Sequence, residues 1–118
     1  MVWDLPALQA IGQTPQTSAV VRVAASDPTL FKRVLDMGAQ TVMVPYVQTA
    51  EEAAAAVHAM RYGPKGMRGM AGMTRATRYG KVDDYFNTLF YGLHPALFAA
   101  VSHPCQSEVL HGLGVGLY

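Results

Sequence analysis

Two apolar segments, each followed by a segment with helix-capping signals, constrain the fold of this chain more than any other feature. Residues 18–24 and 41–47 are rich in Val and do not alternate between apolar and polar positions. Such runs are typical of strands that are buried on both faces, as the strands of parallel sheets are. We therefore predict two parallel strands over these segments, with Pro45 marking an end or a bulge because proline cannot donate to a ladder.

Capping signals place one helix after each strand. Asp27 suits an N-cap and Pro28 suits the first helical turn. Thr49 is followed three residues later by Glu52, which is a capping-box pattern at the start of an alanine-rich helix. A further short helix is predicted over residues 5–11. The order strand, helix, strand, helix with short links predicts an α/β fold with a parallel sheet, and two strands alone cannot bury both faces of that sheet.

The composition bounds the class of protein. The chain has 118 residues, of which 51% are hydrophobic and 14% charged, and this fits one soluble globular domain. A formal net charge of +1 gives no general attraction to nucleic acid or to an acidic membrane. Cys105 is the single cysteine, so no internal disulfide can form. No apolar run is long enough to cross a membrane and no signal peptide is evident, so we predict a cytoplasmic location without nucleic-acid or membrane partners.

Two segments depart from this pattern. Residues 63–81 are rich in glycine and hold five of the nine Lys and Arg residues, which is typical of a long functional loop. Residues 88–118 carry Glu108 as their one charged residue and show no clear period. Two explanations of this tail stay open: a different coding origin, such as a shifted reading frame, or an ordinary apolar C-terminal segment.

Four short motifs resemble the HpcH/HpaI aldolase/citrate lyase family. They are Val20-Val-Arg, Leu35-Asp-Met-Gly-Ala-Gln, Val44-Pro-Tyr-Val and Arg61-Tyr-Gly-Pro-Lys-Gly-Met-Arg-Gly, and residues 74–80 are also close to the family's long loop. Each motif alone is weak, but the four occur in the right order at compatible spacing. The resemblance covers about residues 5–87.

The resemblance implies a fold and an activity. Members of the family are parallel (β/α) barrels that use a divalent metal, Mg²⁺, Mn²⁺ or Co²⁺, to hold a 2-oxo acid during cleavage of a 4-hydroxy-2-oxo acid to pyruvate, or a related 2-oxo acid, and an aldehyde. A complete barrel has about 250 residues. The expected domain over residues 1–87 is therefore a partial barrel with the third and fourth strands, followed by a divergent tail over residues 88–118. Open strand edges predict aggregation, or a homo-oligomer if the chain folds, unless the tail covers the exposed edge.

The sequence also departs from the family pattern. Nothing before Ser18 matches the acidic-histidine motif that supplies the catalytic base. Beyond Asn87 there is no match to the two motifs that supply the Glu and Asp ligands of the metal, so we predict that this chain holds no metal ligand. An alternative prediction follows, in which the chain is an inactive truncated or frameshifted fragment that acts at most as an association module.

Arg22 is the sharpest candidate for a functional residue. It interrupts an apolar run near the carboxyl end of a predicted strand, and a guanidinium is costly to bury without an anionic partner. The resemblance implies that Arg22 contacts the substrate oxo-acid and stabilises the enolate charge. The alternative is an arginine paired with a structural carboxylate.

Asp36 is the second candidate catalytic residue. A carboxylate at a helix C-terminus opposes the helix dipole, which suggests a reason beyond local stability. The resemblance implies that Asp36 raises the basicity of the catalytic histidine, although the end of a barrel helix lies away from the expected active face. The alternative is a solvated or structural aspartate.

The remaining candidates are weighed against ordinary roles. Arg68, Arg75 and Arg78 could bind an anion, but a solvated loop used in subunit packing is the favoured interpretation, and Met67, Met70 and Met73 fit packing against a neighbouring surface. The spacing of His94, His103, Cys105 and His111 fits no standard zinc pattern.

Overall fold

The computed structural model describes residues 5–14, 16–17, 19–87 and 96–100, the last five as backbone. Its named helices and strands are, in chain order, α1 (Leu5–Gly12), β1 (Val20–Arg22), α2 (Pro28–Asp36), β2 (Thr41–Pro45), α3 (Ala50–Met60) and β3 (Ala96–Ala100), and residues 85–87 are also helical.

The sheet is parallel, as predicted. Its order is β1-β2-β3, and both pairs of neighbouring strands run in the same direction. In the register, Arg22 lies opposite Met43 on one side of β2, and Phe98 lies opposite Met43 on the other. The third strand comes from the tail, where the sequence shows no period, so it was not predicted.

Both predicted helix starts are confirmed. The Asp27 carboxylate accepts a hydrogen bond from the Thr29 amide at 2.6 Å, so it satisfies one of the free amides of the first turn of α2. The Thr49 hydroxyl accepts from the Glu52 amide at 3.2 Å in α3. The Glu52 carboxylate accepts from the Gln48 amide at 2.8 Å, one residue before the amide that a capping box uses.

The core lies between one face of β2 and the two helices α2 and α3, which pack against each other. Helix α2 buries an apolar stripe at helical spacing, and α3 buries alanines whose small side chains allow close approach. The fully or almost fully buried side chains of this core include Phe31, Val34, Leu35, Val42, Val44, Ala53, Ala56 and Met60.

The prediction that residues 18–24 form a strand buried on both faces is wrong. The strand β1 covers only Val20–Arg22, and its residues are exposed, half-buried and exposed in turn. The reason is its position among the described strands, where it lies at the edge of the sheet next to β2, and of its three residues Val21 packs against the helix-covered core. The central strand β2 is buried or half-buried along its whole length.

None of the helices in the described ranges is long and apolar enough to span a membrane.

Candidate functional site at the carboxyl edge of the sheet

Arg22 is the last residue of β1, at the carboxyl end of the strand. Successive side chains of a strand point to opposite faces, and Val21 packs against the helix-covered core. Arg22 therefore lies on the sheet face that the helices leave uncovered, which in a closed barrel is the interior face. The Arg22 side chain is exposed on this open face.

Tyr46 lies at the same edge and was missed by the sequence reasoning. It follows the last residue of β2, is 70% exposed, and has a φ of 59°, a left-handed conformation that is rare for an aromatic residue. In open parallel sheets, ligands bind outside the carboxyl ends of the strands. Arg22 and Tyr46 thus place an exposed guanidinium and an exposed phenol at this edge. Pro45, the last residue of β2, was the one sequence signal for the unusual backbone conformation of Tyr46.

Asp36 lies at the opposite edge of the layer. Its two carboxylate oxygens accept from Arg68 Nη2 and from Lys32 Nζ, each at 2.7 Å. Helix α2 has nine residues and so separates Asp36 from the carboxyl edge by about 13 Å. The structure therefore does not bring Asp36 and Arg22 together, and the contacts of Asp36 are those of a structural aspartate.

Arg68 is buried, so the interpretation of it as a solvated loop residue is wrong. It is 5% exposed, and its guanidinium carbon lies 4.4 Å from the centre of the Tyr62 ring. The Asp36 carboxylate supplies the anionic partner that a buried guanidinium needs. Burial raises the pKa of the Tyr62 hydroxyl above its ordinary range, so the ring under Arg68 stays neutral.

The glycine-rich loop packs against the C-terminal ends of α2 and α3. The Met67 amide donates to the His58 carbonyl at 2.9 Å, and the Ala76 amide donates to the Asp36 carbonyl at 3.1 Å. These helix ends adjoin the amino ends of the strands, so this loop lies at the edge opposite Arg22. Arg75 and Arg78 remain exposed on it.

Thr77 holds the loop in shape. It is 2% exposed, and its hydroxyl lies within hydrogen-bond distance of the Gly72 carbonyl at 2.7 Å and of the Gly80 amide at 3.2 Å. A buried hydroxyl that serves as both donor and acceptor closes a long loop without a hydrophobic core of its own. The loop is therefore an ordered part of the fold.

The described residues do not fit a metal site. Within these ranges there is no group of three or more His, Cys, Asp and Glu side chains that could hold a metal ion. Both oxygens of Asp36 already form ion pairs with the Lys32 and Arg68 side chains. His94, His103, Cys105 and His111 lie outside the described residues. We therefore derive no chemical step through a metal from this chain.

Comparison with known proteins identifies the relatives of this fold. The profile of the HpcH/HpaI aldolase/citrate lyase family matches residues 4–88. The chain is 57% identical over 81 residues to the pyruvate aldolase of Rhizobium etli, covering 69% of this chain and 32% of that protein. It is 52% identical over 81 residues to a 2-dehydro-3,6-dideoxy-6-sulfogluconate aldolase of Pseudomonas putida, covering 69% of this chain and 30% of that protein. The chain thus spans about a third of the length of these relatives.

Solved structures agree with the sequence matches. A family protein from Burkholderia cenocepacia superimposes with a TM-score of 0.63 at 43% identity, over 68% of this chain and 32% of that chain. An HpcH/HpaI aldolase from Desulfitobacterium hafniense superimposes with a TM-score of 0.70 at 23% identity, over 92% of this chain and 40% of that chain. The second match, at 23% identity, supports the fold alone.

Proposed function

Because this chain belongs to the HpcH/HpaI aldolase/citrate lyase family, we propose that it forms part of a carbon–carbon lyase that cleaves a 4-hydroxy-2-oxo acid to pyruvate, or a related 2-oxo acid, and an aldehyde. Two relatives are named pyruvate aldolase and 4-hydroxy-2-oxovalerate aldolase, which supports this substrate class. The parallel sheet and its helices would be two consecutive units of a (β/α) barrel. The cytoplasm remains the proposed location.

The position of Arg22 carries the proposal. It lies at the carboxyl end of β1 on the uncovered face, and catalytic residues of (β/α) barrels come from the carboxyl ends of strands. No carboxylate of the described residues pairs with Arg22, so its guanidinium is available to an anion. In the proposed reaction Arg22 binds the negative end of the 2-oxo acid and offsets the charge that develops on the enolate.

The proposed role of Asp36 changes in view of its contacts. Both of its oxygens accept hydrogen bonds from cationic side chains, and His58, the one histidine in the described ranges, is exposed and neither hydrogen-bonds nor ion-pairs with it. A contribution of Asp36 to the basicity of a catalytic histidine would need a base from another part of the protein or from a second copy. We propose that its principal role is to hold the loop to α2.

A chimeric enzyme tests the role of Arg22. Residues 20–87 would replace the corresponding segment of the Rhizobium etli pyruvate aldolase, and pyruvate release would be followed with lactate dehydrogenase. We expect Arg22→Gln to lower kcat/KM about 100-fold or more, since it removes a charged donor from the developing oxyanion. Arg33→Gln, on the exposed face of α2, is the matched control and should leave the rate within about twofold. Equal values of kcat/KM for the two variants would show that Arg22 does not contribute to the reaction.

The second candidate function is an association module without activity of its own. The sequence has no match to the family motifs for the base and the metal ligands, which favours this function for these 118 residues alone. We expect no pyruvate release from the purified chain with Mg²⁺, Mn²⁺ or Co²⁺, and robust turnover would contradict this expectation. The open face of the sheet and the exposed loop also lead us to propose that the chain associates with copies of itself.

A further inference from the structure

Tyr46 is held in a backbone conformation that its own side chain disfavours. Its φ of 59° lies in the left-handed region, which glycine and asparagine adopt far more easily than a residue with a bulky ring. It directly follows the last residue of β2, at the carboxyl edge of the sheet. A strained residue at the edge where ligands bind is an observation from which a function can be inferred.

The left-handed conformation shifts the alternation of side chains by one residue. Val42 and Val44 lie in the helix-covered core, so regular alternation would place Tyr46 there next. Instead Val47 lies in the core, where it is 1% exposed, and Tyr46 remains 70% exposed. The turn at Tyr46 therefore keeps the phenol outside the core at the end of β2.

This shift does not itself require a tyrosine. Glycine or asparagine at position 46 would return Val47 to the core with less strain. Among the described residues, the Tyr46 side chain has no partner for a hydrogen bond or a ring contact. Neither the backbone nor the packing of this part of the chain explains the ring, so a ligand at the open edge is the partner that the exposed phenol suits.

The register of the sheet determines the separation between Tyr46 and Arg22. Arg22 lies opposite Met43, and Tyr46 is three residues beyond Met43 on the neighbouring strand. With about 3.3 Å per residue and about 4.8 Å between strands, the two Cα atoms are about 11 Å apart. Both side chains are long and exposed, so one small molecule that lies along the edge can contact both.

The proposed substrate has two parts with different chemistry. The oxo-acid part carries the negative charge that Arg22 binds, and the part beyond the cleaved carbon–carbon bond leaves as the aldehyde. Gln48, Glu51 and Glu52 are exposed in the residues after Tyr46, so the edge on that side is polar. A polar edge favours an aldehyde with hydroxyl groups, because an apolar aldehyde would leave water without gaining an apolar surface.

We propose that Tyr46 contacts the aldehyde part of the substrate and selects hydroxylated aldehydes over short apolar ones. The inference rests on the proposed aldolase function and adds a specificity-determining residue to it. The phenol hydroxyl both donates and accepts hydrogen bonds, so it matches a hydroxyl group of the substrate. The strained backbone then has a function, since it presents the ring at the edge while Val47 fills the core.

Two substrates that share the oxo-acid part test this role in the chimera of residues 20–87 with the Rhizobium etli pyruvate aldolase. kcat/KM is measured for 4-hydroxy-2-oxovalerate, which releases acetaldehyde, and for 2-keto-3-deoxygluconate, which releases glyceraldehyde. We expect Tyr46→Phe to lower the ratio of the second value to the first about tenfold, because it removes the hydroxyl alone. Arg22→Gln should lower both values and leave their ratio unchanged, because both substrates carry the same oxo-acid part.

Tyr79 provides a matched control for both the ring and the backbone. It has a φ of 56° and is 53% exposed, but it lies on the glycine-rich loop at the opposite edge. We expect Tyr46→Asn to lower the ratio about tenfold or more in the chimera, and Tyr79→Asn to leave it within about twofold. In the full chain, Tyr46→Asn should raise the midpoint temperature of unfolding by about 2 °C, since asparagine tolerates the left-handed conformation.

The outcomes separate this inference from the function on which it rests. A chimera that is folded by circular dichroism and cleaves neither substrate would overturn both. A chimera that cleaves both substrates with the same ratio in Tyr46→Phe and Tyr46→Asn would overturn the role of Tyr46 alone. A lower midpoint temperature for Tyr46→Asn in the full chain would show that the ring supports the fold, and this would also overturn its assignment to the substrate.

Discussion

Asp36 and Arg68 are separated by 32 residues in the chain and meet at 2.7 Å in the fold. The Arg68 side chain is 2% exposed and that of Asp36 is 19% exposed. The desolvation of the guanidinium is therefore nearly complete, and the carboxylate is the anion that compensates it. This pair explains at the residue scale why the basic loop folds back onto α2.

Replacement of Asp36 by Asn should destabilise the chain by about 3 kcal/mol, because it leaves the buried guanidinium without its anionic partner. The free energy of unfolding would be measured by urea denaturation. Lys32→Ala is the matched control, since Lys32 binds the other oxygen of Asp36 from a side chain that is 39% exposed, and its loss should cost less than about 1 kcal/mol. Similar costs for both variants would contradict the assignment of Arg68 as the dominant partner.

At the scale of elements, the glycine-rich loop depends on one glycine. A Cβ atom at Gly66 would lie 2.2 Å from the Arg61 carbonyl oxygen and 2.5 Å from the His58 carbonyl oxygen. Backbone atoms cannot move aside as the end of a flexible side chain can. The amides of Met67 and Arg68 bond to these same two carbonyls, so Gly66 permits the turn that brings Arg68 inside.

Gly66→Ala should therefore destabilise the fold by about 3 kcal/mol or more, through overpacking against the backbone. Gly72→Ala provides the comparison in the same loop, because nothing lies within 4 Å of a Cβ atom there. That change should be neutral or slightly stabilising, since alanine lowers the entropy of the unfolded chain. Thermal unfolding followed by circular dichroism would separate the two, and a harmless Gly66→Ala would show that the turn does not require glycine.

At the scale of the whole molecule, β3 determines whether the second edge of β2 is paired. It pairs with β2 along all five residues from Thr41 to Pro45, so the central strand has both edges covered. Without β3 the edge of β2 would present unpaired amides and carbonyls, which are a template for aggregation.

A chain ending at residue 87 should therefore aggregate at concentrations where the full chain stays in solution. Light scattering, and the fraction of protein that centrifugation pellets, would measure the aggregation. A chain ending at residue 100 keeps β3 and is the control, and it should behave as the full chain does. Equal solubility of the two shortened chains would mean that β3 does not protect the sheet.

Several features of the fold could be predicted from the sequence because they depend on local chemistry. The caps at Asp27 and Thr49 involve atoms within a few residues of each other, and the buried stripe of α2 follows from its helical period. The parallel sheet followed from the order of strands and helices. The family motifs indicated the aldolase family, which the family profile also matches over residues 4–88.

The tertiary structure alone decided the features that depend on distant contacts. Whether β1 is buried depends on its place at the edge of the sheet, and β3 has a pairing partner more than 50 residues earlier in the chain. The burial of Arg68 depends on a carboxylate 32 residues away in the chain. This contact is not visible in the local sequence, and the composition of the loop therefore indicated a solvated residue. Local sequence specifies caps and periods because these interactions are short in range, whereas burial, edge position and ion pairing are properties of the packed molecule.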